Sequence, residues 1–260
     1  MAEQSLSRLA FGIEYDGTAY SGWQYQPHAP SIQEELNKAL SVVANAQVEC
    51  VGAGRTDAGV HASGQVAHFD PPVERALRSW LLGVNTNLPD DISVLWVREV
   101  PAGFHARYSA VSRGYRYTIL NRPVRSALER DRVWWVYHRL DLAGMHEAAQ
   151  LLLGEHDFSS FRAVACQSRS PVRELTQISV TSDRDYIFID CAANAFLHHM
   201  VRNIAGSLVR VGLGEEPPGW IAEVLAARDR KLSGITAPAS GLVLEKVEYP
   251  VGMLDRRSAR

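Results

Sequence analysis

Residues 52–64, GAGRTDAGVHASG, set four glycines among Arg55, Thr56, Asp57 and His61. Glycine admits positive φ and close backbone approach, so the stretch reads as a polar loop that a ligand or polymer can come near. The tetrapeptide TDAG at 56–59 is, by itself, an ordinary turn former. The spacing is not the GxGxxG of a dinucleotide fold, and no GK[ST] follows, so the common nucleotide loops are excluded. His61 and His68 stand seven apart with no third ligand at zinc spacing, so no metal site is expected.

Upstream, residues 8–16 read as a strand closed by the turn pair Asp16-Gly17. Ser31 with Glu34 makes a capping box opening a helix with an apolar stripe of Ile32, Leu36, Leu40 and Val43. Residues 47–51 are a short strand. Downstream come a strand at 65–69 and a helix introduced by Pro71-Pro72, with Val73, Leu77, Trp80, Leu81 and Val84 facing in. Residues 92–100 are the next strand.

The pattern then starts again. Strands at 111–120 and 132–137 precede a helix at 142–153 and an arginine-bearing loop at 154–171. Strands follow at 173–181 and 186–192. A long helix at 196–212 buries Leu197, Val201, Ile204, Leu208 and Val211. Pro217-Pro218 lead a short helix to 228, and 241–249 alternate as a closing strand. The reading is an α+β fold in two halves, 1–105 and 106–260, with the boundary near 101–110.

Hydrophobic residues at 46% and charged residues at 22% exclude disordered, collagen-like and coiled-coil chains. Three cysteines without CxxC spacing argue against a disulfide scaffold and for a reducing compartment. The start MAEQSLSRLA lacks the apolar run of a signal peptide, and no stretch reaches the roughly 18 apolar residues of a membrane span. The net charge of −2 hides an asymmetry. Arg107, Arg113, Arg116, Arg122, Arg125, Arg130, Arg132 and Arg139 share one span with only Glu129 and Asp131 as acids. Arg162, Arg169 and Arg173 follow, while the whole chain has three lysines. Arginine forks phosphate and stacks on bases. Tyr108, Tyr115, Tyr117, Trp134, Trp135 and Tyr137 lie among these arginines, a mixture suited to unstacked RNA bases.

GRTDAGVHA at 54–62 resembles the signature of the TruA family of tRNA pseudouridine synthases. So do YDGTAYSGWQ at 15–24, FHARYSAVSRGYRYTILN at 104–121, FLHHMVRNIAG at 196–206 and TAPASGLVLEKVEY at 236–249, in that order along nearly the whole chain. The resemblance implies two ferredoxin-like halves, a mostly antiparallel sheet with helices on one side, a central cleft, and a cytoplasmic homodimer. It implies isomerisation of uridine to pseudouridine at positions 38, 39 and 40 of the tRNA anticodon stem-loop. The partner is tRNA, with no membrane, metal or cofactor.

The same resemblance carries the site residues. Asp57 falls on the family's catalytic aspartate, as nucleophile at C1′ or C6 or as base at C2′. Arg55 fills the space of the flipped base, and Arg202 pairs with Asp57. Tyr115 stacks on the uracil and is a candidate acceptor of the C5 proton, although a phenol titrating near about 10 is a poor base. His61, His198, Arg113 and Arg116 are the remaining candidates for substrate contact. Helical spacing puts His198 four residues before Arg202 on one side, and strand alternation puts Tyr115 and Tyr117 on one face with Arg116 on the other. The rival is a non-catalytic tRNA-binding protein or RNA chaperone. It keeps the arginines but has no use for Asp57, Tyr115 and Arg202 together. A hydrolase built on Asp57 and His61 lacks a nucleophile elbow and a second placed carboxylate.

Overall fold

The structure, a computed structural model, describes residues 6–254 and the backbone of 258–259. It contains two compact units: residues up to Val111 together with those from Leu244 on, and Ser112–Val243.

In the first unit, β1 (Leu9–Tyr15) leads to α1 (Ile32–Ala44), β2 (Val51–Gly52), β3 (His61–Phe69), α2 (Leu77–Asn87) and β4 (Ile92–Glu99). β1 lies between β3 and β4 and is antiparallel to both. Ser31 caps α1, its Oγ accepting the Glu34 amide at 3.3 Å, while the Glu34 carboxylate turns to Lys38 at 2.9 Å. Behind the cap, Ile32, Leu36 and Leu40 are fully buried with Phe11, Ile13, Phe69 and Trp80. Each such side chain contributes about 1.5–3 kcal/mol relative to exposure.

In the second unit, β5 (Ser112–Asn121) is followed by β6 (Trp134–Val136), α3 (Leu142–Gln150), β7 (Gly154–Asp157), β8 (Val172–Asp183), β9 (Tyr186–Ala193), α4 (Met200–Gly212) and α5 (Trp220–Ala227). β9 sits between β5 and β8, with β7 outside β8, all antiparallel. β6 runs parallel to β5. α3 packs on β8 and α4. Met145, Leu152, Phe158, Phe161, Ile189, Ile204 and Leu208 are buried in this core. β10 (Leu242–Glu248) returns the chain to the first unit beside β3, and β11 (Ser258–Ala259) pairs antiparallel with β4. The expected α+β class with mainly antiparallel strands is what forms.

Several boundaries differ from the sequence reading. The units part after Val111 rather than at 105, and residues from Leu244 on join the first unit. A closing strand can add to any free sheet edge, which alternation alone does not name. α2 starts at Leu77, because Ala76 before it holds an extended backbone, with φ −59° and ψ 141°. α4 starts at Met200 rather than 196, because His199 takes a left-handed φ of 62° and breaks the helical path. Strand β3 takes in residues 61–64, which the glycines made look like loop. Gly64 is there because a Cβ would stand 1.9 Å from the Glu245 carbonyl oxygen on β10.

Candidate active site

In the first unit the loop before β3 is held from three directions. The Ala53 amide donates to Val66 O at 2.8 Å, and buried Gln65 donates from Nε2 to Gly54 O at 2.8 Å. Thr56 is buried, its hydroxyl 2.8 Å from the Tyr15 phenol, and its carbonyl accepts the Trp23 amide at 3.1 Å. Burial pushes the Tyr15 phenol up to about 12, so it stays neutral. Asp57 opens a turn in which the Val60 amide donates to Asp57 O at 3.1 Å. Gly59 supplies the positive φ, 76°, which the third position of such a turn needs. Asp57 is half-buried, while Arg55 beside it is exposed.

The stretch 15–24 braces that loop. A Cβ on Gly17 would stand 2.1 Å from Val60 O, and one on Gly22 would stand 2.4 Å from Thr56 O. Gly22 also carries a φ of 95°. The two glycines let one backbone lie directly on the other.

In the second unit, Arg113, Tyr115 and Tyr117 share a face of β5, with Tyr115 opposite Cys191 of β9. The Tyr115 ring meets Phe196 edge-on at 5.1 Å. Tyr117 is fully buried and donates to Pro238 O at 2.8 Å. Burial raises its pKa, while the positive charge of Arg202 opposes the rise. Arg202 Nε donates to Ala237 O at 2.8 Å, and the Ala237 amide donates back to Arg202 O at 3.2 Å. The first turn of α4 and the segment 236–241 are thereby locked together.

A family profile described as tRNA pseudouridine synthase matches residues 13–109 and 148–250. The chain belongs to that family. It is 57% identical over 243 residues to the tRNA pseudouridine synthase A of Vibrio parahaemolyticus, covering 94% of this chain and 92% of that one. The protein of the same name from Pseudomonas aeruginosa is 54% identical over 250 residues, covering 96% of this chain and 88% of that one. That from Buchnera aphidicola is 51% identical over 259 residues, covering 100% and 97%. Among solved structures, a Cbf5-Nop10-Gar1 complex has a TM-score of 0.35 at 10% identity over 78% of this chain and 45% of that one, a likeness too distant to argue from.

Within this tRNA pseudouridine synthase family member, several of the expected contact residues also have partners inside the protein. His61 is buried at 4% exposure, and its Nδ1 accepts the Gly17 amide at 3.1 Å. The same nitrogen is 3.1 Å from Asp16 Oδ1, but a nitrogen that accepts the amide proton cannot also donate to the carboxylate. We take the Gly17 bond, since Asp16 Oδ1 already receives the Thr18 amide and hydroxyl. His61 therefore braces the turn after β1. Arg116 forks Asp190 directly across the sheet, at 2.7 and 3.0 Å, and lies over the Phe188 ring. Arg113, on the tyrosine face, is 9% exposed and donates to Asn194 O at 2.9 Å. His198 precedes the helix, so the four-residue spacing to Arg202 does not hold. It is exposed, with its ring 4.0 Å from that of His199.

The synthase motifs also contain a buried polar network that spacing did not reveal. Asn203, fully buried, donates to Phe161 O at 2.8 Å and accepts from Thr236 Oγ1 at 2.7 Å and Arg230 at 3.0 Å. Arg230 also binds Ser233, Gly234 and Thr236, and burial lowers its pKa. An asparagine on the buried side of a helical stripe was the available signal.

Proposed function

We propose that this chain isomerises uridine to pseudouridine at positions 38, 39 and 40 of the tRNA anticodon stem-loop, as a cytoplasmic homodimer without metal or cofactor. The five motifs and the shared name of its relatives support the reading. One observation carries it: Asp57 sits in a turn clamped through Thr56, Gly59 and Val60, with an exposed Arg55 two residues before it. Among the described residues no helix is long and apolar enough to cross a membrane.

The reaction breaks the N1–C1′ bond, turns the uracil, and joins C5 to C1′. The C5 proton leaves and N1 gains one, so no electrons are exchanged with a cofactor. Extruding the base costs a few kcal/mol, which Arg55 offsets by filling the vacated stack. Asp57 acts ionised, as nucleophile at C1′ or C6 or as base at C2′. Arg202 supplies the cation that opposes the rise in pKa a carboxyl suffers in a dry site. Tyr115 faces the uracil and accepts the C5 proton.

The test is tRNA transcribed with tritium at uridine C5. The wild type releases label to water. Asp57→Asn releases none, while its tRNA affinity is nearly kept. Arg202→Met slows release by roughly 100-fold or more. Release by Asp57→Asn at the wild-type rate overturns the assignment. A wild type that binds tRNA without release makes the chain a binding protein.

A further inference from the structure

We propose that Tyr108 is a stacking platform for an unpaired nucleobase of the bound RNA, separate from the uridine that reacts. The proposal rests on the tRNA reading above. Tyr108 is 76% exposed, a high value for a large ring in an ordered segment. Its inner face lies on His105, with ring centroids 4.3 Å apart and planes 32° from parallel. His105 rests in turn on His68 at 4.7 Å, and the buried His68 ring meets Phe104 edge-on. The outermost ring of this column therefore offers its outer face to solvent.

The platform is built before anything binds. The amides of Arg107 and Tyr108 both donate to His105 Nδ1, at 3.2 and 3.3 Å. The His105 amide donates to Ser109 Oγ at 3.0 Å, and Ser109 N donates back to His105 O at 2.8 Å. Tyr249 donates to Ala106 O at 2.8 Å, and the Ala106 amide donates to His68 Nδ1 at 3.1 Å. A ring fixed this way loses little rotamer freedom when a base stacks on it. Burial and the Arg8 charge depress His105, so the supporting imidazole is neutral at pH 7. The Arg107 guanidinium stands over the Tyr108 ring, 5.7 Å from its centroid, which puts a phosphate-binding fork next to the place a stacked base would take.

Distance separates this platform from the reaction. Thr56 is bonded to Tyr15, which pairs with Ala62 of β3. His68 lies six residues further along that strand, roughly 20 Å away at the usual rise. The column under Tyr108 is therefore founded near the opposite end of β3 from the Asp57 turn.

The experiment measures filter-binding Kd of the full chain for a tRNA transcript, across salt, for wild type, Tyr108→Ala, Tyr108→Phe and Arg107→Gln. Tyr108→Ala weakens binding roughly tenfold and leaves the salt slope unchanged, because a ring releases no counterions. Tyr108→Phe binds within about twofold of wild type, since every aromatic keeps a π-face. Arg107→Gln reduces the slope by about one. Unaltered binding by Tyr108→Ala overturns the proposal. Equal losses in the alanine and phenylalanine variants overturn it too, by assigning the effect to the hydroxyl. Dissociation of subunits by Tyr108→Ala in sedimentation would place the ring at a protein interface instead. Tritium release keeps the two readings apart. A wild type without release refutes the function whatever Tyr108 does. Normal release with unaltered Tyr108→Ala binding refutes the platform alone.

Discussion

The hydroxyls of Tyr15 and Thr56 lie 2.8 Å apart in the interior of the first unit, 41 residues apart in sequence. This contact ties the C-terminal end of β1 to the residue preceding Asp57. Removing either hydroxyl deprives the other of this buried bond, at a cost of about 1–3 kcal/mol, with Tyr15 keeping only the longer 3.5 Å contact from Gln65 Nε2 when Thr56 is changed. Tyr15→Phe and Thr56→Val should each lower stability by that amount in urea denaturation and reduce turnover. The double variant should cost less than the sum, because both polar groups are then gone. Additive losses would show that the two hydroxyls act independently.

Glycine at 22 and glycine at 54 should respond oppositely to alanine. Gly22 has a φ of 95° and a would-be Cβ 2.4 Å from Thr56 O, whereas nothing lies within 4 Å of a Cβ on Gly54. Gly22→Ala should destabilise by roughly 2 kcal/mol or more and disturb the Asp57 turn. Gly54→Ala should shift stability by less than about 1 kcal/mol. Thermal unfolding of the two variants side by side decides it.

Arginines in the 107–139 span should separate into structural and RNA-facing sets. Arg116 pairs with Asp190, so Arg116→Gln should cost about 1 kcal/mol of stability and leave the salt dependence of tRNA binding nearly intact. Arg125 is exposed, and Arg125→Gln should flatten the log Kd against log salt slope by about one without touching stability. The reverse pattern would mean the ion pair opens to meet RNA.

Acid should weaken the fold through His68. Burial, reinforced by Arg8 and His105, lowers its pKa to about 4 in the folded chain, against roughly 6.5 when unfolded. Between these values the unfolded chain binds a proton that the folded chain does not, so stability falls as pH drops from 6.5 toward 4. The loss is at most about 3 kcal/mol, and the group contributes no slope above pH 7. His68→Gln should flatten the stability profile over that window. A profile unchanged by the substitution would assign the acid sensitivity to other groups.

Much of the site was readable from local pattern. The Ser31 cap, the α1 stripe, the β5 alternation and the turn at Asp57 depend on residues within a few positions of each other, and they appear where periodicity and turn chemistry put them, although the loop ends at 60 and β3 begins at His61. The arginine excess was the least transferable inference. It was counted over a window of chain, but Asp190 reaches Arg116 and Asp185 reaches Arg122 from outside that window. The start of α4 was hidden too, since left-handed His199 sits inside an otherwise helical run.

By itself the sequence determined the order of elements, the family, and the carboxylate on which the chemistry is proposed to turn, because caps, turns and periodic burial act over short separations. Tertiary structure decided which partners these side chains and backbones take within the protein. His61 closes on Gly17, Arg116 closes on Asp190, and Gly22 lies against Thr56. Each pairing joins residues tens of positions apart, and strand register and backbone approach choose such partners only once the chain has folded.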